Sequence, residues 1–288
     1  MTSLPSAHAQ SAGLVTAGSR HRSRWFHPAT ILASLILLSA FALAIVPGVF
    51  ATHDPYEGTD VALLTPSSEH LFGTDAVGRD LFSRVVYGAR QSLLGALLAV
   101  VVGSSLGTLI GLIAGTQRGW VETILMRIVD VFLAIPGILL SLSIIIVTGF
   151  GSLQAAFAVG MTSVATFARL SRSQVIQIAG ADFVEAAYGS GATHTHVLFR
   201  HVLPNSLTPV LALAALQFGT AILQLSILGF LGYGAPPPIP EWGLLIAEGR
   251  DYMATAWWLI LLPGLAIVAT VMSANRLAQV IQTEGSLS

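Results

Sequence analysis

The stretch SLLGALLAVVVGSSLGTLIGLIAG, residues 92–115, contains no acidic or basic side chain. About 20 apolar residues suffice to cross roughly 30 Å of hydrocarbon as a helix, so this stretch reads as a membrane span. Within it Gly95, Ala99, Gly103, Gly107, Gly111 and Gly115 place a small residue at every fourth position. Such a stripe lets two helix backbones meet closely where lipid supplies no hydrophobic driving force between helices. It reads first as a packing seam and second as a surface along which helices could shift. The pattern Gly103-Ser104-Ser105-Leu106-Gly107 also matches the nucleophile elbow of hydrolases, but that motif needs a strand, a strained turn and a helix, and an uninterrupted span supplies none of them.

Working outward, five further stretches have the same character: Ala29 to Phe50, Val131 to Thr148, Phe150 to Ala168, Leu207 to Gly234 and Met253 to Asn275. The chain has 288 residues, 54% hydrophobic and only 9% charged, against about 25% charged in an ordinary soluble domain. An all-α integral-membrane bundle of six transmembrane helices follows. The first stretch, preceded by Arg20, Arg22 and Arg24, exceeds the length of a signal-peptide core and is read as an uncleaved anchor. Arginine distribution orients the bundle, because cytoplasmic loops retain positive charge. With the N-terminus inside, Arg20, Arg22, Arg24, Arg118, Arg127, Arg169, Arg172, Arg200 and Arg276 are cytoplasmic, and Arg79, Arg84, Arg90 and Arg250 are external. Both termini are then expected on the cytoplasmic side of the inner membrane, with acidic Asp54, Glu57, Asp60 and Glu69 outside.

Composition removes whole classes of function. There is no cysteine, hence no disulfide and no thiolate chemistry. All thirteen basic residues are arginine, and a phosphate-binding loop needs a lysine to reach the β- and γ-phosphates. The chain is therefore not expected to be an ATPase or to hold a cofactor. A net charge of −1 without a basic face argues against nucleic acid. His194 and His196 point apart on a helix and lack a third ligand, and no zinc-peptidase pair occurs, so no metal site is expected.

The segmentation expected is a tail at 1–28, the first span at 29–50, an external loop at 51–91, a core at 92–276 with a cytoplasmic loop at about 169–206, and a tail at 277–288. In the cytoplasmic loop, Phe183 to Gly191 reads as a short helix stopped by glycines, and Thr193 to Leu203 as a second one closed by Pro204-Asn205. Glu185-Ala186-Ala187, then Gly191, then Leu203-Pro204 resemble the EAA loop of bacterial ABC-importer permeases. The run His70 to Arg84, followed by Tyr87 to Leu93, resembles the segment preceding the second span in C-type permeases of dipeptide, oligopeptide and nickel importers. Arg200 to Asn205 and Pro236 to Gly243 agree with the same branch, over about residues 25 to 276. Tyr188, where a basic residue is usual, and the ending after Asn275 depart from it.

The resemblance implies a MetI-like, type I permease bundle that works beside a homologous B-type permease, two cytoplasmic ATPase subunits or domains, and an extracytoplasmic binding protein. It implies that Glu185, Ala186, Ala187, Gly191, Leu203 and Pro204 couple to the ATPase, and that dipeptides or oligopeptides are the cargo. A nickel chelate or another small solute is the same-class alternative. An ion-coupled secondary transporter is the different-class one, disfavoured by six spans without ionisable groups.

Further expectations attach to single positions. Gln217, Thr220 and Gln224 share one face of the fifth span, and either border a translocation path or hydrogen-bond neighbouring helices. Asp75, Arg79, Asp80 and Arg84, with Glu241 and Trp242, are candidate contacts for an outside partner, the first four on an amphipathic element at the outer interface. Arg127 and Asp130 are expected to pair, and Pro136 and Pro263 to kink their helices.

Overall fold

The computed structural model describes residues 27–59 and 61–285. Arg20, Arg22, Arg24, Asp60 and the last three residues lie outside the described residues. Among the described residues the secondary structure is helical, with two isolated β-bridges in the outer segment. The long apolar elements are α1 (Pro28–Ile45), α3 (Leu81–Thr116), α6 (Ser152–Ala179), α9 (Leu203–Phe230) and α11 (Trp258–Gly285). Between them lie the short α2 (Pro47–Phe50), α4 (Trp120–Ala134), α5 (Gly137–Thr148), α7 (Asp182–Gly189), α8 (His194–Val197) and α10 (Trp242–Gly249).

The small-residue stripe of α3 packs on α6. A β-carbon built at Gly111 would lie 2.5 Å from the Ala168 carbonyl oxygen and 2.6 Å from Ser171 Cβ. At Gly115 it would meet Val175 Cβ at 2.8 Å, and at Gly107 it would collide with Phe167 and the Val164 carbonyl. Gly103 faces Ser163, and Gly160 on α6 answers from the other side against the Ala99 carbonyl. The two backbones thus touch over several turns with almost no side chain between them.

α1 leans on α11 and α3 and buries Thr30, Ala33, Ala40 and Ala44, a narrow stripe at helical spacing. Ile31, Leu32, Leu35, Leu38 and Ile45 are exposed, as suits a lipid-facing helix, while Leu37 and Leu43 are partly buried on the core.

Element boundaries depart from the sequence reading in five places, each with a local cause. The first span stops at Val46, because Pro47 cannot donate its backbone nitrogen and starts α2 instead. The second begins eleven residues earlier than Ser92: Asp80 caps α3 by accepting the Ser83 N–H at 2.8 Å, and the polar run that follows is already helix. At 36 residues α3 is about 54 Å long, so its head stands clear of a 30 Å hydrocarbon layer. The third span is not one helix. Ile135 and Pro136 leave the helical region, and α4 and α5 meet at 98°; Pro136 ends the ladder rather than bending it.

Pro204, expected to close a helix, opens one. Residues 198–202 form a wide π turn in which Leu203 N–H reaches back to the Leu198 carbonyl. That extra residue absorbs the missing donor of Pro204, and the chain runs helical from His194 to Phe230. The last helix starts at Trp258 rather than Met253 and carries Pro263 inside it, continuing through the expected tail to Gly285.

Candidate functional site

At the bend between α4 and α5 the bundle encloses a cavity of about 290 Å³. The α4–α5 bend supplies Phe132, Ile135 and Gly137, α3 supplies Ala99 and Val100, and α6 supplies Thr162, Ser163 and Thr166. Gln217, Thr220 and Gln224 of α9 line the same cavity. The Thr220 hydroxyl donates to the Leu216 carbonyl of its own helix at 3.4 Å, and neither amide bonds to a neighbouring helix among the described residues. The polar face therefore opens on space. The two glutamines and four hydroxyl residues offer donors and acceptors without a formal charge, the chemistry that matches backbone amides rather than ions. Thr162, Ser163 and Thr166 were not singled out from the sequence, because their small hydroxyls are common inside membrane helices; only the packing of α6 beside α9 gives them a common target.

The segment after α6 folds as a unit with its own core. Val184 of α7 is buried against Val175 at the end of α6, Val197 of α8 and Val202 of the π turn. α7 closes with Gly191 at φ +87°: its N–H donates to the Tyr188 carbonyl at 2.9 Å, and the Ala192 N–H donates to the Ala187 carbonyl at 3.1 Å. This pair of bonds is the Schellman closure, which requires a left-handed residue and so suits glycine. Gly189, which also read as a stop, is instead the last helical residue of α7. Glu185, Ala186 and Pro204 face solvent, Ala187 and Leu203 are half-buried, and Phe183, Tyr188 and Phe199 leave large apolar surfaces exposed around them.

Two ion pairs strap α4 to α6. Asp130 accepts from Arg169 at 2.6 Å, and Glu122 accepts from Arg172 Nε at 2.7 Å. Asp130 thus pairs across helices with Arg169 and not with Arg127 one turn away on its own helix, which is exposed.

The outer residues form a closed network rather than an open contact patch. Arg84 is 0% exposed and donates to Glu248 of α10 at 2.8 Å. Asp75 accepts from Arg79 Nε at 2.7 Å and lies 3.5 Å from Arg84 Nε, while Arg79 also approaches Glu248 at 3.5 Å. Trp242 is buried, its indole N–H donating to the Val85 carbonyl at 2.9 Å. Asp75, Asp80, Arg84, Glu241 and Trp242 are thus turned inward, and of the six outer positions only Arg79 is partly open. The inward turn has a simple cause: an arginine at the head of a packed helix is tolerated only if its charge is met inside the chain.

Glu241 sits in a niche made by two glycines. A β-carbon at Gly229 would approach its carboxylate oxygens at 2.5 and 2.7 Å, and the Ala235 N–H donates to it at 3.2 Å. Burial pushes its pKa up to about 7, the single amide bond offsetting this only in part.

Comparison with known proteins agrees with these features. Residues 107–283 match the family model described as the binding-protein-dependent transport system inner membrane component. The dipeptide transport system permease DppC of Alkalihalophilus pseudofirmus is 41% identical over 247 residues, covering 86% of this chain and 80% of that protein. The probable D,D-dipeptide transport system permease DdpC of Escherichia coli is 38% identical, covering 86% and 84%. The glutathione transport system permease GsiD of Pectobacterium atrosepticum is also 38% identical, covering 86% and 83%. Among solved structures, an inward-facing MetNI methionine ABC transporter superimposes with a TM-score of 0.56 at 19% identity, covering 72% of this chain and 95% of that one. The chain belongs to the family of inner-membrane components of binding-protein-dependent transport systems, and is a multi-pass, non-catalytic permease subunit of an ABC importer.

Proposed function

We propose that this permease subunit passes short peptides inward, along the cavity bordered by Gln217, Thr220 and Gln224. The observation that carries the reading is that cavity: uncharged hydrogen-bonding groups from α6 and α9 converge on it at the right-angle break of α4 and α5. Relatives named for dipeptides, D,D-dipeptides and glutathione support a peptide cargo. In this reading the bent α4–α5 pair counts as one crossing, giving six, and both termini are cytoplasmic.

The module from Asp182 to Pro204 then lies in the cytoplasm, where α7 docks on an ATPase subunit through Glu185, Ala186 and Ala187. Small residues let the partner approach the helix backbone, Glu185 offers one charge to a cationic neighbour, and the exposed Phe183 and Tyr188 supply apolar area. A homologous second permease completes the pathway, two ATPase subunits or domains drive it, and a binding protein delivers cargo to the outer face.

The test uses the assembled importer in proteoliposomes with ATP enclosed. Gln217→Leu combined with Gln224→Leu is expected to cut dipeptide uptake at least tenfold with assembly intact, and Glu185→Lys to lower recovery of the ATPase with the permease. Full uptake in the double leucine variant would remove the path from this face of α9, and unchanged ATPase recovery in Glu185→Lys would remove α7 from the docking surface.

A further inference from the structure

Three residues that no sequence spacing connects come together at the head of α3. His53 follows α2, His70 lies in the outer segment, and Asp80 caps α3. Their ligand atoms all lie within 4.8 Å of one another. His70 Nδ1 is 2.9 Å from Asp80 Oδ1 and His53 Nδ1 is 3.8 Å from the same oxygen. Donors held about 2.05 Å from a tetrahedral metal stand about 3.3 Å apart, so these separations bracket what a bound ion requires.

The surroundings are built to hold this geometry. Asp80 is 1% and His70 4% exposed. The second carboxylate oxygen of Asp80 accepts the Ser83 N–H at 2.8 Å and lies 3.4 Å from the Thr52 hydroxyl, which fixes the rotamer and leaves Oδ1 for the histidines. The His53 backbone N–H donates to Ser83 Oγ at 3.0 Å, anchoring it against α3, while its ring is partly open to solvent and its Nδ1 lies 3.1 Å from the Thr52 hydroxyl. His70 is pinned by reciprocal bonds with Ser67, and the two imidazole rings lie 4.7 Å apart. Such second contacts are what orient metal ligands.

The charge pattern points the same way. Arg79 and Arg84, the arginines on either side of Asp80 in sequence, are directed elsewhere and serve Asp75 and Glu248. Among the described residues the ion-pair partners of Asp80 are His53 and His70 alone. We propose that His53, His70 and Asp80 form a site for a divalent transition-metal ion of the zinc type, which clips the outer segment 51–80 onto the head of α3.

Two imidazoles and one carboxylate suit zinc, nickel or copper, and not calcium or magnesium, which need several oxygen ligands. The positive end of α3 reinforces that choice: it opposes a cation, so only an ion bound strongly by nitrogen donors overcomes it. Solvent at His53 leaves room for a fourth ligand from water, and His70 would bind as the tautomer carrying its proton on Nε2.

The experiment is equilibrium dialysis of Zn²⁺ against the full-length chain, purified in mild detergent without a histidine tag and stripped with a chelator. A single equivalent bound at micromolar Zn²⁺, undisturbed by excess Mg²⁺ or Ca²⁺, is the expected result. His53→Ala should weaken binding by more than about tenfold, and the stripped variant should still fold, seen as a cooperative thermal transition without metal. Cobalt substitution should give a visible ligand-field band that Asp80→Asn abolishes. Absence of Zn²⁺ binding, binding untouched by His53→Ala, or loss of binding on His196→Ala instead would each overturn the site.

Discussion

Arg84 shows how a single residue can mislead a reading from sequence and then organise a structure. Its neighbours are apolar and its charge looks like a surface feature, yet it is fully buried between Asp75 and Glu248. Removing one partner of a buried pair costs about 3–5 kcal/mol because the other charge is left without compensation. Glu248 is partly open to water, so Glu248→Gln is expected to cost less than this, about 2–3 kcal/mol, measured as a shift in thermal unfolding of the detergent-solubilised chain. Glu241 gives the opposite pH signature from an ordinary salt-bridged carboxylate. Its folded pKa, about 7, lies above the unfolded value of 4.5, so the folded chain binds the extra proton between those values and stability falls as pH rises through that window. Thermal unfolding followed from pH 5 to pH 8 should show this decline in the wild type, and Glu241→Gln should flatten it.

At the scale of elements, glycine separates two roles that look alike in sequence. Gly191 occupies a left-handed position with open space around it, so Gly191→Ala pays for backbone conformation alone, about 1 kcal/mol. Gly189, two residues earlier, is helical and also meets nothing, so Gly189→Ala is expected to stabilise by several tenths of a kcal/mol. Backbone hydrogen exchange across α7 in both variants would read the difference, and equal effects would refute the assignment of Gly191 as the closing residue. In the seam, Gly107→Leu should prevent α3 and α6 from packing, seen as loss of folded protein after extraction, because Phe167 and the Val164 backbone occupy the space.

Much of this architecture was legible because apolar runs and small-residue periodicity are one-dimensional signals. The length of α3 was not, since its polar head is helical only by virtue of the Asp80 cap and the packing of α10. Pro204 was misread because a π turn lets a proline sit where a helix should stop. The polar face of α9 could be seen from spacing, but its hydroxyl counterparts on α6 and the meeting of His53, His70 and Asp80 depend on contacts between distant segments.

For the whole molecule, the absence of lysine removes the phosphate-binding loop, and the charged groups carried by α4 and α6 pair with one another across the two helices, Asp130 with Arg169 and Glu122 with Arg172, which leaves no unpaired acid along that seam for an ion-coupled cycle. Reconstituted alone in liposomes without ATP, it is expected to show no substrate accumulation, measured with a labelled dipeptide against an imposed proton or sodium gradient. Accumulation there would contradict the subunit role. The valine core below the bundle has a mechanical meaning. Val184 is clamped between the end of α6 and the entry to α9, and a close-packed contact transmits displacement instead of absorbing it. In the proposed docking role, torque applied to α7 would be shared by two long shafts, as by a yoke, so that α6 and α9 turn together and the strapped α4 and the packed α5 are carried with α6.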